Sequence, residues 1–132
     1  MMEFLIQLIG CGLVVLALIH VVFPKVFDWK SELPLLSLVN RQLMTVHTFF
    51  IAVMVFMIGV LCASSAELLL HTPLGRRILW GLSFFWFARL ITQLFWYSPK
   101  LWKGKRLETG VHIIFTILWS AMTAIFVFGA MR

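Results

Sequence analysis

Charge is what this chain has least of. Asp, Glu, Lys and Arg make up 12% of its 132 residues, hydrophobic residues 62%, and the mean hydropathy is +1.02. Soluble domains carry about a quarter charged residues, so an ordinary water-soluble fold is excluded. Disorder is excluded as well, because it requires low hydrophobicity. Acids are the scarcest charge: Glu3, Asp28, Glu32, Glu67 and Glu108 stand against eleven Lys and Arg. No carboxylate pair is available for acid–base work or for a dinuclear metal centre. There are two cysteines, Cys11 and Cys62, with no CxxC and no zinc-type spacing. Rise arithmetic places them at different depths, so no disulfide is expected, and both read as buried apolar filler. The prolines, Pro24, Pro34, Pro73 and Pro99, all fall at helix boundaries or in loops. This counts against the broken helices of many transporters. Internal repeats, phosphate-binding glycine loops and nucleophile sets are also missing.

What is present is four apolar runs, each long enough to cross about 30 Å of hydrocarbon as a helix. They cover about 4–23, 40–63, 76–97 and 109–131. Segments of alternating hydrophobicity, the mark of a closed barrel, do not occur. Helices are the remaining solution, because lipid offers backbone groups no partner. The expected fold is an all-α integral membrane protein, an antiparallel up-down four-helix transmembrane bundle forming one domain over 1–132. The first run lacks a basic leader and continues a dozen residues past Cys11, so it is expected to persist as a mature helix rather than act as a signal peptide.

Basic residues are unevenly placed. Lys25, Lys30, Arg41, Lys100, Lys103, Lys105 and Arg106 follow the first and third runs, whereas Arg76, Arg77 and Arg132 lie on the other side. The bias puts the first set in the cytoplasm and both termini on the non-cytoplasmic side, as in a bacterial inner membrane. The +6 charge is explained by contact with anionic lipid rather than nucleic acid. In "HTPLGRR", Thr72 is expected to cap a helix with Pro73 in its first turn. Pro24 and "YSPK" are expected to end the first and third helices. The segment 25–39 is expected to lie along the headgroups, partly helical. Trp29, Trp96, Tyr97 and Trp102 suit an aromatic belt.

The polar residues inside the runs share one level. With alternating helix direction, His20, His47 and His112 fall in the cytoplasmic half, together with Arg89 and Gln93, spaced i,i+4 on one face. Arg89 lies roughly 12 Å from the end of its helix. Inward faces are expected at Gly10, Leu13, Ala17 and His20; at Asn40, Met44, His47 and Ile51; at Phe85, Arg89, Gln93 and Trp96; and at Glu108, His112, Thr116, Trp119 and Thr123. An intramembrane charge left facing lipid costs about 3 kcal/mol or more, which is why such stripes turn inward.

Three chemistries fit this set. His47 and His112 could ligate a haem b for electron transfer, with Arg89, Arg41 or Lys105 pairing its propionates. His20, His47 and His112 could hold zinc, copper or iron with one position open, Glu108 orienting His112. A quinone or lipid-headgroup pocket would use His, Arg89, Gln93, Trp and Tyr97 as hydrogen-bonding groups. The alternative is a transporter or channel subunit, or a scaffold, whose polar seam only holds helices together at roughly 0.6 kcal/mol per bond. Membrane lipids are the expected surroundings, and a homo-oligomer or a larger membrane complex the expected context.

Overall fold

The computed structural model describes all 132 residues and is helical throughout, with no strand. Four helices are long and apolar enough to cross a membrane: Met2–Val26, Leu38–Ser64, Pro73–Trp96 and Arg106–Met131. Each end falls within three residues of the boundary expected from hydropathy. The chain divides into two compact units, one of Ile6–Ala66 and one of Glu67–Arg132 with Met1–Leu5.

In the unit Ile6–Ala66, α1 (Met2–Ile19) is followed by a 3₁₀ turn at His20–Val22 and by α2 (Phe23–Val26). Pro24 was expected to close the first helix, and the structure corrects this. Proline has no N–H to give the carbonyl four residues earlier. The His20 carbonyl accepts instead from the Phe23 N–H, the turn tightens locally, and the helix runs on to Val26. Asp28 then adopts a left-handed conformation, φ 52°. Its carbonyl accepts from Ser31 and Glu32 at 3.1 and 3.0 Å, starting the short α3 (Trp29–Glu32). The headgroup-level segment is thus partly helical, as expected.

α1 buries Ile6, Gly10, Leu13 and Ala17, the small face read from the sequence. Cys11, one residue off that face, is exposed, whereas Cys62 is buried; both thiols are free. The filler reading therefore holds for Cys62 and fails for Cys11. The small face exists because two backbones meet there. A Cβ on Gly10 would stand 2.6 Å from the Gly59 carbonyl oxygen and 2.9 Å from Ala63 Cα. A Cβ on Gly59 would stand 2.9 Å from the Gly10 carbonyl oxygen. Gly59 and Ala63 lie one turn apart on α4 (Leu38–Ser64) and form a small-xxx-small contact.

That contact sets how α4 is rotated. Its covered stripe runs Thr48, Ala52, Val55, Gly59, Cys62, and Arg41 lies on the same face. The expected stripe of Asn40, Met44, His47 and Ile51 is exposed. His47 precedes Thr48 by one residue, about 100° around the helix. Close backbone packing near one end decides the face of the whole helix, and polarity near the other end does not.

In the second unit, α5 (Ala66–His71) leads into α6 (Pro73–Ile91). Thr72 joins them as expected: its Oγ1 accepts from the Gly75 N–H at 2.9 Å and donates to the Leu68 carbonyl at 2.7 Å. α6 buries Gly75, Leu79, Leu82, Ser83 and Trp86, and Gln93 is buried in the wide π turn Thr92–Trp96 that extends it. The expected face of Phe85, Arg89, Gln93 and Trp96 is corrected at both ends. Phe85 is 48% and Trp96 83% exposed. Trp86, the next residue round, takes the inner position, and the wider turn carries Trp96 off the face that a regular i,i+3 spacing would have kept. α7 (Arg106–Met131) buries Trp119, Met122, Phe126, Gly129 and Ala130, with Glu108 exposed. Thr116 and Thr123 lie half-buried on the expected stripe, but their hydroxyls donate to the His112 and Trp119 carbonyls of their own helix. They therefore hold no neighbouring helix.

Candidate functional site

α6 and α7 are the most extensively packed pair of helices. Trp86 stacks on Trp119, with ring centroids 4.8 Å apart and planes 17° from parallel. Gln93 Nε2–H donates to His112 Nδ1 at 2.8 Å. Moving from Trp86 to Gln93 along one helix moves from Trp119 back to His112 on the other, so these two helices run in opposite directions.

The loop between them folds over the His112 end. Trp102 lies on the His112 ring at 3.9 Å and 9°. Its carbonyl accepts from the Lys105 N–H at 3.0 Å and from the Thr109 hydroxyl at 2.5 Å. Gly104 supplies the positive φ, 79°, that closes this turn. The ring is thus fixed by its own backbone as well as by stacking.

Arg89 lies between the two groups. Its guanidinium carbon is 5.5 Å from the centre of the Trp119 ring and 5.6 Å from that of Tyr97. Cation–π contact of this kind contributes about 0.5–2 kcal/mol, less than the roughly 3 kcal/mol or more of placing a charge among acyl chains. No Asp or Glu occurs between Glu67 and Glu108, so neither the helix carrying Arg89 nor the loop beyond it offers a counter-ion.

Three buried donors here have no acceptor: Trp86 Nε1, Trp119 Nε1 and Arg89 Nη1. The two indoles are 3% and 4% exposed. Leaving a buried donor unpaired costs about 1–3 kcal/mol, and three neighbours doing so is rare in a native structure. His112 adds to them. With the Gln93 NH₂ turned toward the imidazole, Nδ1 is the acceptor and Nε2 carries the ring proton. The groups buried without a partner, Trp86 Nε1, Trp119 Nε1 and Arg89 Nη1, are all donors. This suits a partner that brings acceptors.

Of the residues singled out from the sequence, Arg89, Gln93 and His112 come together on this pair of helices. His20 and His47 belong to the other unit. His20 Nδ1 bonds the Leu16 carbonyl of its own helix at 2.8 Å and packs against Phe23. His47 is exposed. No group of three or more His, Cys, Asp or Glu side chains is placed to hold a metal ion. Glu108, expected to orient His112, is replaced in that role by Gln93. An open apolar groove of about 550 Å³ along Met54–Ser64 has no titratable group in its lining.

Trp86 was not singled out in the sequence, although Leu79, Leu82, Trp86 and Gln93 recur at spacings of three, four and seven, the signature of one helix face. Trp102 reads as a belt residue, and no local pattern shows that the loop folds it over His112, while Tyr97 stays exposed. No protein-family model, no curated protein and no solved structure matches the chain.

Proposed function

We propose that this is an inner-membrane protein of four antiparallel up-down spans, with both termini on the non-cytoplasmic side. Its third and fourth spans bind a membrane-resident ligand whose head presents hydrogen-bond acceptors, such as a quinone or a lipid headgroup. The observation that carries this reading is the set of unpartnered donors on Trp86, Trp119 and Arg89. Indole and guanidinium groups have no lone pair for a metal, so the cluster fits an oxygen-bearing head better than a bare ion. Stacked Trp86 and Trp119, with Phe115 5.3 Å from Trp119, give it an apolar wall. The distribution of Lys and Arg supports the topology.

A second reading, haem b for electron transfer, draws on the bond between Gln93 and His112. If the carbonyl of the Gln93 amide faced Nδ1–H instead, the Nε2 lone pair would be free to ligate iron, and Gln93 would be the outer partner that such ligands commonly have.

The two readings separate in one preparation. The protein, purified with its native lipid, is recorded in visible light and by native mass spectrometry. The first reading expects no Soret band and a retained acceptor-bearing amphiphile. Trp86→Phe with Trp119→Phe, which keeps the ring packing and deletes both N–H groups, should weaken that retention roughly tenfold while helicity is unchanged. A Soret band that His112→Ala abolishes would establish haem and overturn the first reading. A colourless protein that retains nothing would overturn both.

A further inference from the structure

Resting on the acceptor-binding reading, we infer that the acceptor is anionic: the phosphate of a membrane phospholipid, held by Arg89 and drawn below the headgroup plane between the third and fourth spans. A neutral carbonyl would satisfy the unpartnered N–H groups but leave the Arg89 charge uncompensated. The sequence from Leu68 to Leu107 contains no acid, while Arg76, Arg77, Arg89, Lys100, Lys103, Lys105 and Arg106 lie within it. The only acid in the first turn of α7, Glu108, is exposed. The anion must therefore come from outside this part of the chain.

Geometry favours phosphate carried on a lipid. Arg89 stands about 10 Å along the helix axis from Trp96. The span Pro73–Trp96 is 24 residues long, about 36 Å, a few ångströms more than the hydrocarbon thickness at each end. A headgroup phosphate has less than 10 Å to descend, and intramembrane arginine commonly draws headgroups and water inward. The guanidinium presents its planar fork of donors, the arrangement that takes two phosphate oxygens at once. Its Nη1 is buried without a partner. The indole N–H groups of Trp86 and Trp119, 3% and 4% exposed and also unpartnered, belong to the same cluster. At the same end of the helices, Lys100, Lys103, Lys105 and Arg106 form a cationic loop, which concentrates anionic lipid at the entrance.

The test uses the full chain in detergent, stripped of lipid and titrated by native mass spectrometry with four probes. These are phosphatidylglycerol, inorganic phosphate, a short-chain neutral quinone, and diacylglycerol as the headless control. The expected result is one saturable phosphatidylglycerol per chain, with no binding of free phosphate or diacylglycerol. Arg89→Gln should weaken it at least tenfold, and Arg89→Lys, which keeps the charge and loses the fork, by an intermediate amount. Saturable binding of the quinone without phosphatidylglycerol would overturn the inference and leave the acceptor-binding reading standing. Equal binding of inorganic phosphate would overturn the lipid source. Absence of binding by every probe would remove both readings. The comparison among probes is made on the unaltered protein, so it does not depend on how the Arg89 variants fold.

Discussion

Gly10 and Gly12 sit two residues apart on the same helix, and alanine at each should have opposite effects. At Gly12 an added Cβ meets nothing within 4 Å. The substitution there only removes the conformational freedom of glycine, a gain of about 0.5–1 kcal/mol in a helix interior. At Gly10 the added atom would press on backbone: the Gly59 carbonyl oxygen at 2.6 Å, Ala63 Cα at 2.9 Å, and the Ala63 nitrogen. Ordinary contact begins near 3.4 Å, and no side-chain rotation relieves a backbone clash, so α1 and α4 must separate by roughly 1 Å. Overpacking of this kind costs about 1–3 kcal/mol. Lipid tails are as apolar as the helices, so the lost dispersion contact is not recovered by burial elsewhere. The conformational gain is common to both positions and cancels, so the clash places Gly10→Ala about 1–3 kcal/mol below Gly12→Ala. Reversible unfolding in mixed micelles, followed by far-ultraviolet circular dichroism over an SDS titration, reads this difference directly. If the two variants unfold within 0.5 kcal/mol of each other, the close contact of α1 with Gly59 and Ala63 is wrong.

Two other substitutions probe the second unit. A double-mutant cycle of Gln93→Leu and His112→Phe should show a coupling of about 1 kcal/mol, the upper part of the range for hydrogen bonds between membrane helices. Coupling indistinguishable from zero would sink the bond on which the His112 tautomer rests. Thr72→Ala should destabilise by about 1 kcal/mol through loss of the N-cap, with Thr72→Ser close to neutral. A thermal melt in detergent in which the Ala and Ser variants coincide would show that the hydroxyl does not cap α6.

The spans were legible because their physics is one-dimensional: a run of apolar residues, a length, and a bounding proline or charge. The small face of α1 was legible for a related reason, since Gly10, Leu13 and Ala17 leave few other ways to bring a helix close. Faces set by a partner were harder. Nothing local in α4 says that Gly59 and Ala63 outrank His47 in choosing the inward side. On α6, Phe85 and Trp86 are adjacent and chemically alike, and only packing against Trp119 selects between them. Arg89, Gln93 and His112 were recognisable as costly residues at one depth. That Gln93 meets His112, and that the loop returns Trp102 over the imidazole, depends on the 97–105 connection. Gly104 is its one visible sign. On α4 the contact through Gly59 and Ala63 leaves His47 exposed, and His20 bonds the Leu16 carbonyl of its own helix, neither of which a local pattern announces.

The wide turn at Thr92–Trp96 has a consequence for how this span tolerates change. Such a turn holds one residue more than a regular one, so its length and its orientation are separable. Removing a single residue there, Leu94 for instance, would let the helix revert to regular winding while the residues beyond it keep nearly the same facing, because the wide turn already absorbs the extra residue. A deletion at this point is therefore absorbed, whereas one in the regular winding of Pro73–Ile91 would turn everything beyond it by about 100°.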